Sequence, residues 1–212
     1  MNTKDHIVFI VDDDARICES LSALLSTFDL NVVTFGSGAE YLAYPKPVVP
    51  ACLILDVELP DINGLDMQSQ VGKEHLPPIV FITGHGDIPS SVRAIKAGAV
   101  DFLAKPFSET DLIRAVNSAL SQDRDARRKW NELAELNQRL ASLTPREREV
   151  LPLVVSGLLN KQAAAELDIS EVTVQIHRSK IMQKMGAGSL AELVRMAGAL
   201  EIPMTHSRRM HK

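Results

Sequence analysis

Short apolar runs alternate with stretches of helical spacing along the first half of the chain. Ile7 to Val11 is an uninterrupted apolar run that ends on Asp12-Asp13-Asp14. A run of this length without alternation reads as a strand buried on both faces. From Arg16 to Phe28 the apolar positions Ile17, Leu21, Leu24, Leu25 and Phe28 follow helical spacing. Asn31 to Phe35 is the next strand, and Ser37-Gly-Ala-Glu40 is a capping box opening a short helix toward Tyr44. Three prolines between Tyr44 and Pro50 make that stretch a loop. Ala51 to Leu55 is a third apolar run, ending on Asp56 and a Pro/Asp/Asn/Gly turn. Leu65 to Val71 reads as a helix, Pro78 to Thr83 as a strand, and Pro89 to Ala97 as a helix stopped by Gly98. Asp101 to Ala104 is the last strand, and Ser108 opens the helix after it. Regular strand-helix alternation predicts an α/β fold, a parallel sheet with helices on both faces.

The pattern changes at Ser121. From there to Leu143 the chain has no Pro or Gly, and Trp130, Leu133, Asn137 and Leu140 follow the 3-4-3 spacing of a coiled-coil seam. The stretch predicts one long helix continuing from the last helix of the first domain. So short a seam fits either pairing with a second copy or a solvated connector. Thr144-Pro145-Arg-Glu147 then starts a new helix, with Thr as N-cap, Pro at N1 and Glu at N3. It runs to Ser156, and Pro152 inside it should kink it or remove a backbone hydrogen bond. Lys161 to Leu167, Glu171 to Met185, and a helix capped by Ser189 that runs to about Leu200 complete a four-helix all-α domain. The tight turn Asp168-Ile-Ser170 before the third helix reads as helix-turn-helix. The expected divisions are 1–121, a helical linker 122–143, a second domain 144–204, and a polar, basic, disordered tail 205–212.

Composition adds a contrast between the halves. Residues 1–120 carry 8 Lys/Arg and 16 Asp/Glu, whereas residues 121–212 carry 15 and 11. An acidic front and a mildly basic back imply different partners, nucleic acid for the second. No apolar run approaches the ~20 residues of a membrane helix, and Met1 to His6 does not read as a signal segment. Cys18 and Cys52 both fall in apolar patterns and read as core thiols of a reducing cytoplasm.

The chemistry gathers around Asp56. Alone, an Asp at that place is as readily a turn residue. In a parallel sheet ordered 2-1-3-4-5, however, the first and third strands are neighbours. Their C-terminal ends then bring Asp12, Asp13 and Asp56 together, at the edge where open α/β sheets place their chemistry. Three carboxylates repel unless a cation binds, and hard oxygen ligands suit Mg²⁺ (or Mn²⁺). Thr83 ends the fourth strand and Lys105 the fifth. Carboxylate, divalent metal, hydroxyl and ammonium together fit phosphoryl transfer onto an aspartate.

These residues, with Ile82-Thr-Gly-His-Gly-Asp87, Lys96-Ala-Gly-Ala-Val-Asp-Phe102 and the helix-turn-helix half, resemble two-component response regulators of the FixJ/NarL class, closest in motifs to the FixJ branch. The resemblance covers nearly the whole chain. It implies a flavodoxin-like doubly wound receiver domain of sheet order 2-1-3-4-5 and a LuxR-type DNA-binding domain. By the same resemblance Asp56 is the phosphoacceptor. Asp13 and Asp56 bind the metal directly with the Glu58 backbone carbonyl, and Asp12 acts mainly through a metal-bound water. Thr83 and Lys105 contact the phosphoryl group, Lys105-Pro106 is a cis peptide, and Phe102 is an aromatic switch. Val92 and Lys96 lie on a face that dimerises on phosphorylation. The implied partners are a sensor histidine kinase, double-stranded promoter DNA, a second copy and, as a further candidate, RNA polymerase. Asp14 reads as a cap for the first helix. His85 reads as a solvated loop histidine in preference to a general base, and the Glu58 side chain as a determinant of phosphoryl lifetime.

In this family the third helix of the back domain enters the major groove. Val174, Ile181 and Met185 would face its core, while Gln175, Arg178 and Ser179 face base edges. Gln pairs two-fold with adenine and Arg with guanine. Lys161, Thr173, Lys180 and Lys184 suit phosphates. Many LuxR-type helices carry Lys where this chain has Gln175 and Ser179, so salt-dependent affinity should be weaker. His177 is expected to pack against a neighbouring helix. Two competing readings are a constitutive DNA-binding regulator whose receiver only mediates interactions, and an aspartyl-phosphate phosphohydrolase. The second needs an Asp where Glu58 stands and a cap insertion that the chain lacks.

Overall fold

The computed structural model describes residues 6–71, 76–84 and 88–203. The expectations for His85 and for the tail 205–212 therefore lie outside the described residues. The chain forms two compact units that divide between Arg127 and Arg128.

The first unit holds strands β1 (Ile7–Val11), β2 (Val32–Phe35), β3 (Ala51–Asp56), β4 (Ile79–Thr83) and β5 (Asp101–Ala104). Between them run helices α1 (Ala15–Ser26), α2 (Gly38–Ala43), α3 (Gly64–Val71) and α4 (Ile88–Lys96), and α5 (Glu109–Ala141) follows β5. All strand pairs are parallel, in the order β2-β1-β3-β4-β5. The central strand β3 is buried at every residue, which explains why its sequence shows no alternation. Successive residues point to opposite faces. Val8, Ile10, Cys52, Ile54, Val80 and Ile82 pack beneath α1 and α5. Phe9, Val11, Leu53, Leu55 and Phe81 pack on the other face with residues of α2, α3 and α4. Both cysteines are buried.

Registers place the strand ends. Val11 pairs with Leu55, so Asp12 follows β1 beside Asp56. Thr83 pairs with Ala104, so Lys105 lies one residue beyond β5. The helix starts are capped as their sequences suggest. Asp14 accepts from the Arg16 amide at 2.9 Å, and the Ser37 hydroxyl accepts from the Glu40 amide at 3.2 Å. One difference concerns Phe28. α1 ends before it at the Thr27 cap, so Phe28 leaves the helical stripe and is exposed.

α5 is one helix of 33 residues. It stays with the first unit past the expected end at 121 because Asp123 reaches the sheet. The Asp123 carboxylate accepts from the Ala51 amide at the start of β3 (2.7 Å) and from Arg127 Nε (2.6 Å). Along the seam stripe Trp130, Leu133 and Asn137 are exposed, while Leu140 packs against the core of the second unit.

The second unit holds α6 (Pro145–Val155), α7 (Asn160–Leu167), α8 (Glu171–Met185) and α9 (Leu190–Ala199). Val150, Leu151, Val154, Val174, Ile181, Met185 and Leu193 form its core, closed by Leu143 before α6. The capping box at Thr144 is complete: the Glu147 amide donates to its hydroxyl and the Glu147 carboxylate accepts from its amide. Pro152 sits within α6 near its end, and its carbonyl accepts from both the Ser156 amide and hydroxyl. Asp168, at φ 53°, ends α7, and Ser170 caps α8 through the Thr173 amide, which gives the tight turn between them. Among the described residues no helix is long and apolar enough to cross a membrane.

Candidate functional site

The C-terminal edge of the sheet gathers the acids as the strand order requires. One carboxylate oxygen each from Asp12, Asp13 and Asp56 lies within 4.8 Å of the others. Asp12 and Asp56 are buried, at 1 % and 6 % exposure, and Asp13 is exposed. The Lys105 ammonium bridges the two buried acids, 2.6 Å from Asp12 Oδ2 and 2.6 Å from Asp56 Oδ2. Their remaining oxygens accept backbone amides: Asp12 Oδ1 from Asp14 and Asp56 Oδ1 from Glu58, both at 2.9 Å. Lys105-Pro106 is a cis peptide. Thr83 is fully buried, and its carbonyl accepts from the Lys105 amide at 2.7 Å, which joins the ends of β4 and β5.

One lysine against three carboxylates leaves the cluster short of positive charge. Burial pushes the Asp12 carboxyl above its usual range, against the opposing hydrogen bonds from Lys105 and the Asp14 amide. For Lys105, burial works against the ammonium, but its hydrogen bonds to Asp12 and Asp56 win and raise it. The donor set is three hard oxygens on short tethers, which fits a small divalent cation such as Mg²⁺. A cavity of about 560 Å³ opens beside it, lined among others by Asp12, Asp13, Cys18, Thr34 and Glu40. Asp14, by contrast, takes no part in the cluster. Arg16 holds its carboxyl down at about 2 through a side-chain ion pair at 2.9 Å.

The loop after β3 fixes Asp56. The Val57 amide donates to Ile82 at 3.1 Å and the Gly64 amide to Val57 at 2.9 Å, while Glu58 bridges Asn63 across the turn. A Cβ at Gly64 would collide with the Asp56 carbonyl oxygen, so only glycine lets the loop fold back this closely. Asp61 ties the same loop to α2 by accepting the Gly38 and Ala39 amides at 3.2 and 2.8 Å. The sequence does not single out Asp61 or Asp123 as anchors, and it offers Glu147 only as the N3 residue of the capping box. For Asp123 the spacing of four to Arg127 on a helix is a signal.

Phe102 is half-buried, its ring 6.2 Å from that of Phe81. Val92 and Lys96 are exposed on α4, beside the equally exposed Ile88 and Ile95.

In the second unit Val174, Ile181 and Met185 face the core with no exposed surface. Gln175, Ser179 and Lys180 on α8 and Lys161 on α7 are exposed, and Thr173 is half-buried beneath the Ser170 cap. Arg178 is half-buried, and His177 is half-buried with its Nδ1 shielded from solvent. Lys184, expected to meet phosphates, is paired within the unit. Its ammonium lies 2.7 Å from Glu147, a carboxylate 2 % exposed, and 3.2 Å from the Ser142 carbonyl. Its charge is committed inside the unit, because an unpaired buried carboxylate would be costly.

Comparison with known proteins covers both units. Residues 8–117 match the response regulator receiver domain, and residues 141–197 match the bacterial regulatory proteins of the luxR family. Nodulation protein W of Bradyrhizobium diazoefficiens is 48 % identical over 202 residues, covering 95 % of this chain and 89 % of that protein. The transcriptional regulatory protein FixJ of Rhizobium meliloti is 42 % identical over 195 residues, covering 91 % and 95 %. Among solved structures, the response regulator StyR superposes with a TM-score of 0.82 at 44 % identity, covering 92 % of this chain and 98 % of StyR. Full-length FixJ from B. japonicum gives 0.56 at 38 % identity, covering 95 % and 100 %.

Proposed function

Since this chain belongs to the response regulators that join a receiver domain to a LuxR-type DNA-binding domain, we propose that phosphorylation of Asp56 controls its binding to promoter DNA. The observation that carries this reading is the cluster of Asp12, Asp13 and Asp56 bridged by Lys105. Asp56 is the nucleophile. Its loop, held by Gly64 and the Glu58 amide, aims the carboxylate at the open edge of the sheet. Asp12, Asp13, Asp56 and the Glu58 carbonyl are the residues that would hold Mg²⁺ (or Mn²⁺). The cation's part, once bound, is to neutralise charge developing on the transferring phosphoryl oxygens. Lys105 leaves its bridge between the two acids to pair with the new phosphoryl group, and the buried Thr83 hydroxyl turns to the same group. The donor is a sensor histidine kinase, which places the protein in the cytoplasm. The chain undergoes phosphorylation and slow loss of the group rather than turnover of a substrate.

Phosphorylation then shifts a two-state equilibrium. Phe102 repacks as Thr83 moves, and the α4 face with Val92 and Lys96 pairs with a second copy. The dimer presents two α8 helices to paired half-sites in DNA. Gln175, Arg178 and Ser179 are the base-facing set, and Lys161, Thr173 and Lys180 the phosphate-facing set. RNA polymerase is a further partner of the DNA-bound dimer. Sedimentation with and without beryllofluoride plus Mg²⁺ tests pocket, switch and dimer together. A shift from monomer to dimer is expected. An unchanged monomer, or DNA binding equal in both states, favours the constitutive reading instead.

A further inference from the structure

We propose that a cleft at the N-terminal edge of the sheet is a binding site for a small, neutral, mostly apolar alcohol. The cleft has a volume of about 210 Å³ and lies within the first unit, at the edge opposite Asp56. Its apolar walls include Pro77 and Pro78 before β4, Ala97 after α4, and Ala126 of α5. Two polar side chains also line it, Gln68 of α3 and Asp123 of α5.

Both polar residues are more than nine-tenths buried, Gln68 at 7 % exposure and Asp123 at 8 %. Both keep hydrogen-bonding capacity in reserve. The Ala51 amide and Arg127 Nε donate to one and the same oxygen, Asp123 Oδ2, at 2.7 and 2.6 Å. Among the described residues nothing donates to Asp123 Oδ1, and the Gln68 side chain makes no hydrogen bond. Buried polar groups are nearly always satisfied, so these two call for a polar partner inside the cleft.

The chemistry of that partner follows from the walls and the charges. The apolar walls favour an apolar body, which gains by leaving water. Arg127 already balances the Asp123 charge, so a second cation would gain little against the loss of its own hydration. An acid would be repelled by Asp123. A hydroxyl fits both groups, because it is donor and acceptor at once. It donates to Asp123 Oδ1 and accepts from Gln68, whose amide has no other partner and turns to present an N–H. A cavity of about 150 Å³ takes benzene, so this one takes a molecule of about eight heavy atoms.

The experiment titrates the full-length chain with benzyl alcohol and with its isomer anisole, which has the same size but no donor. Amide chemical shifts locate the binding. Benzyl alcohol should move the amides of Ala51, Ala97 and Gly98, with a dissociation constant of about 1 mM. Anisole should bind about tenfold more weakly. Ala97→Leu fills the cleft and should remove the response. Gln68→Met keeps the size without the amide and should weaken benzyl alcohol toward the affinity of anisole. Thermal melting establishes that each variant is folded. If Ala97→Leu fails to fold, the location of the shifts in the unaltered chain decides instead. Shifts scattered over the surface, or none, overturn the site and leave the cleft to water. Equal affinity for the two isomers overturns recognition of a hydroxyl.

Discussion

Two lysines show how the units differ. In the first, Lys105 stands between two buried carboxylates with a third close by. In the second, Lys184 meets one buried carboxylate, Glu147, and balances it. The matched pair closes a scaffold, joining α8 to the start of α6. The unmatched cluster leaves negative charge uncompensated, and that imbalance supports the proposal that it binds a metal and accepts a phosphoryl group. Buried charge marks a reactive place where its signs fail to cancel, and a structural one where they do. The exposed face of α8 is a third case. Gln175 and Ser179 are exposed there and carry no charge, so the proposed base contacts would be neutral hydrogen bonds.

The largest expected effect tests the unbalanced side. Asp56→Asn should abolish acid-labile phosphate uptake from acetyl phosphate and the dimerisation it drives. Phosphate uptake that persists would move the acceptor elsewhere. On the balanced side, Lys184→Met strands Glu147 and should destabilise the second unit by about 2–3 kcal/mol, below the value for a fully enclosed pair because the lysine is one-third exposed. Denaturant unfolding followed with probes in each unit should show the loss in the second alone.

The same pair has a pH signature. Burial raises the Glu147 carboxyl, but the hydrogen bonds from Lys184 and Thr144 and the Lys184 charge outweigh it, so the folded value is lowered. A carboxylate lowered on folding contributes stability that is present above its unfolded pKa and lost as pH falls through its folded one. Acid should therefore narrow the stability gap between the unaltered protein and Glu147→Gln. A gap that is constant from pH 7 to the acid range would mean that the charge contributes nothing.

Mg²⁺ at about ten times its dissociation constant should raise the stability of the first unit by about 1.4 kcal/mol and leave the second unchanged. Equal stabilisation of both would erase the contrast between the units. Asp123→Ala removes both the acceptor for the Ala51 amide and the charge that pairs with Arg127. About 1 kcal/mol is expected, read as faster hydrogen exchange at Ala51. Unaltered exchange there would dismiss Asp123 as an anchor.

Most of the fold was legible because it rests on local rules. Runs buried on both faces, caps such as Asp14, Ser37 and Thr144, and the stop at Gly98 are written in neighbouring residues. The acid cluster was legible one step further, since strand order alone brings Asp12 and Asp56 together. Less legible were contacts between residues far apart in the chain: Asp123 with Ala51, Lys184 with Glu147, Asp61 with α2, and Asn160 with Gln175. A charged or amide side chain in a helix looks the same in sequence whether it faces solvent or an anchor.

By itself the sequence determined the elements, the parallel sheet, the helix-turn-helix and the residue types of the reactive edge, because periodicity and capping act over a few residues. Tertiary structure decided how far α5 belongs to the first unit, and that Lys105 meets two buried carboxylates while Lys184 meets one. Those outcomes depend on burial and on the partner supplied from elsewhere in the fold. A side chain's hydrogen-bond capacity is fixed by its chemistry, but what remains of it for a ligand is set by the neighbours that packing brings.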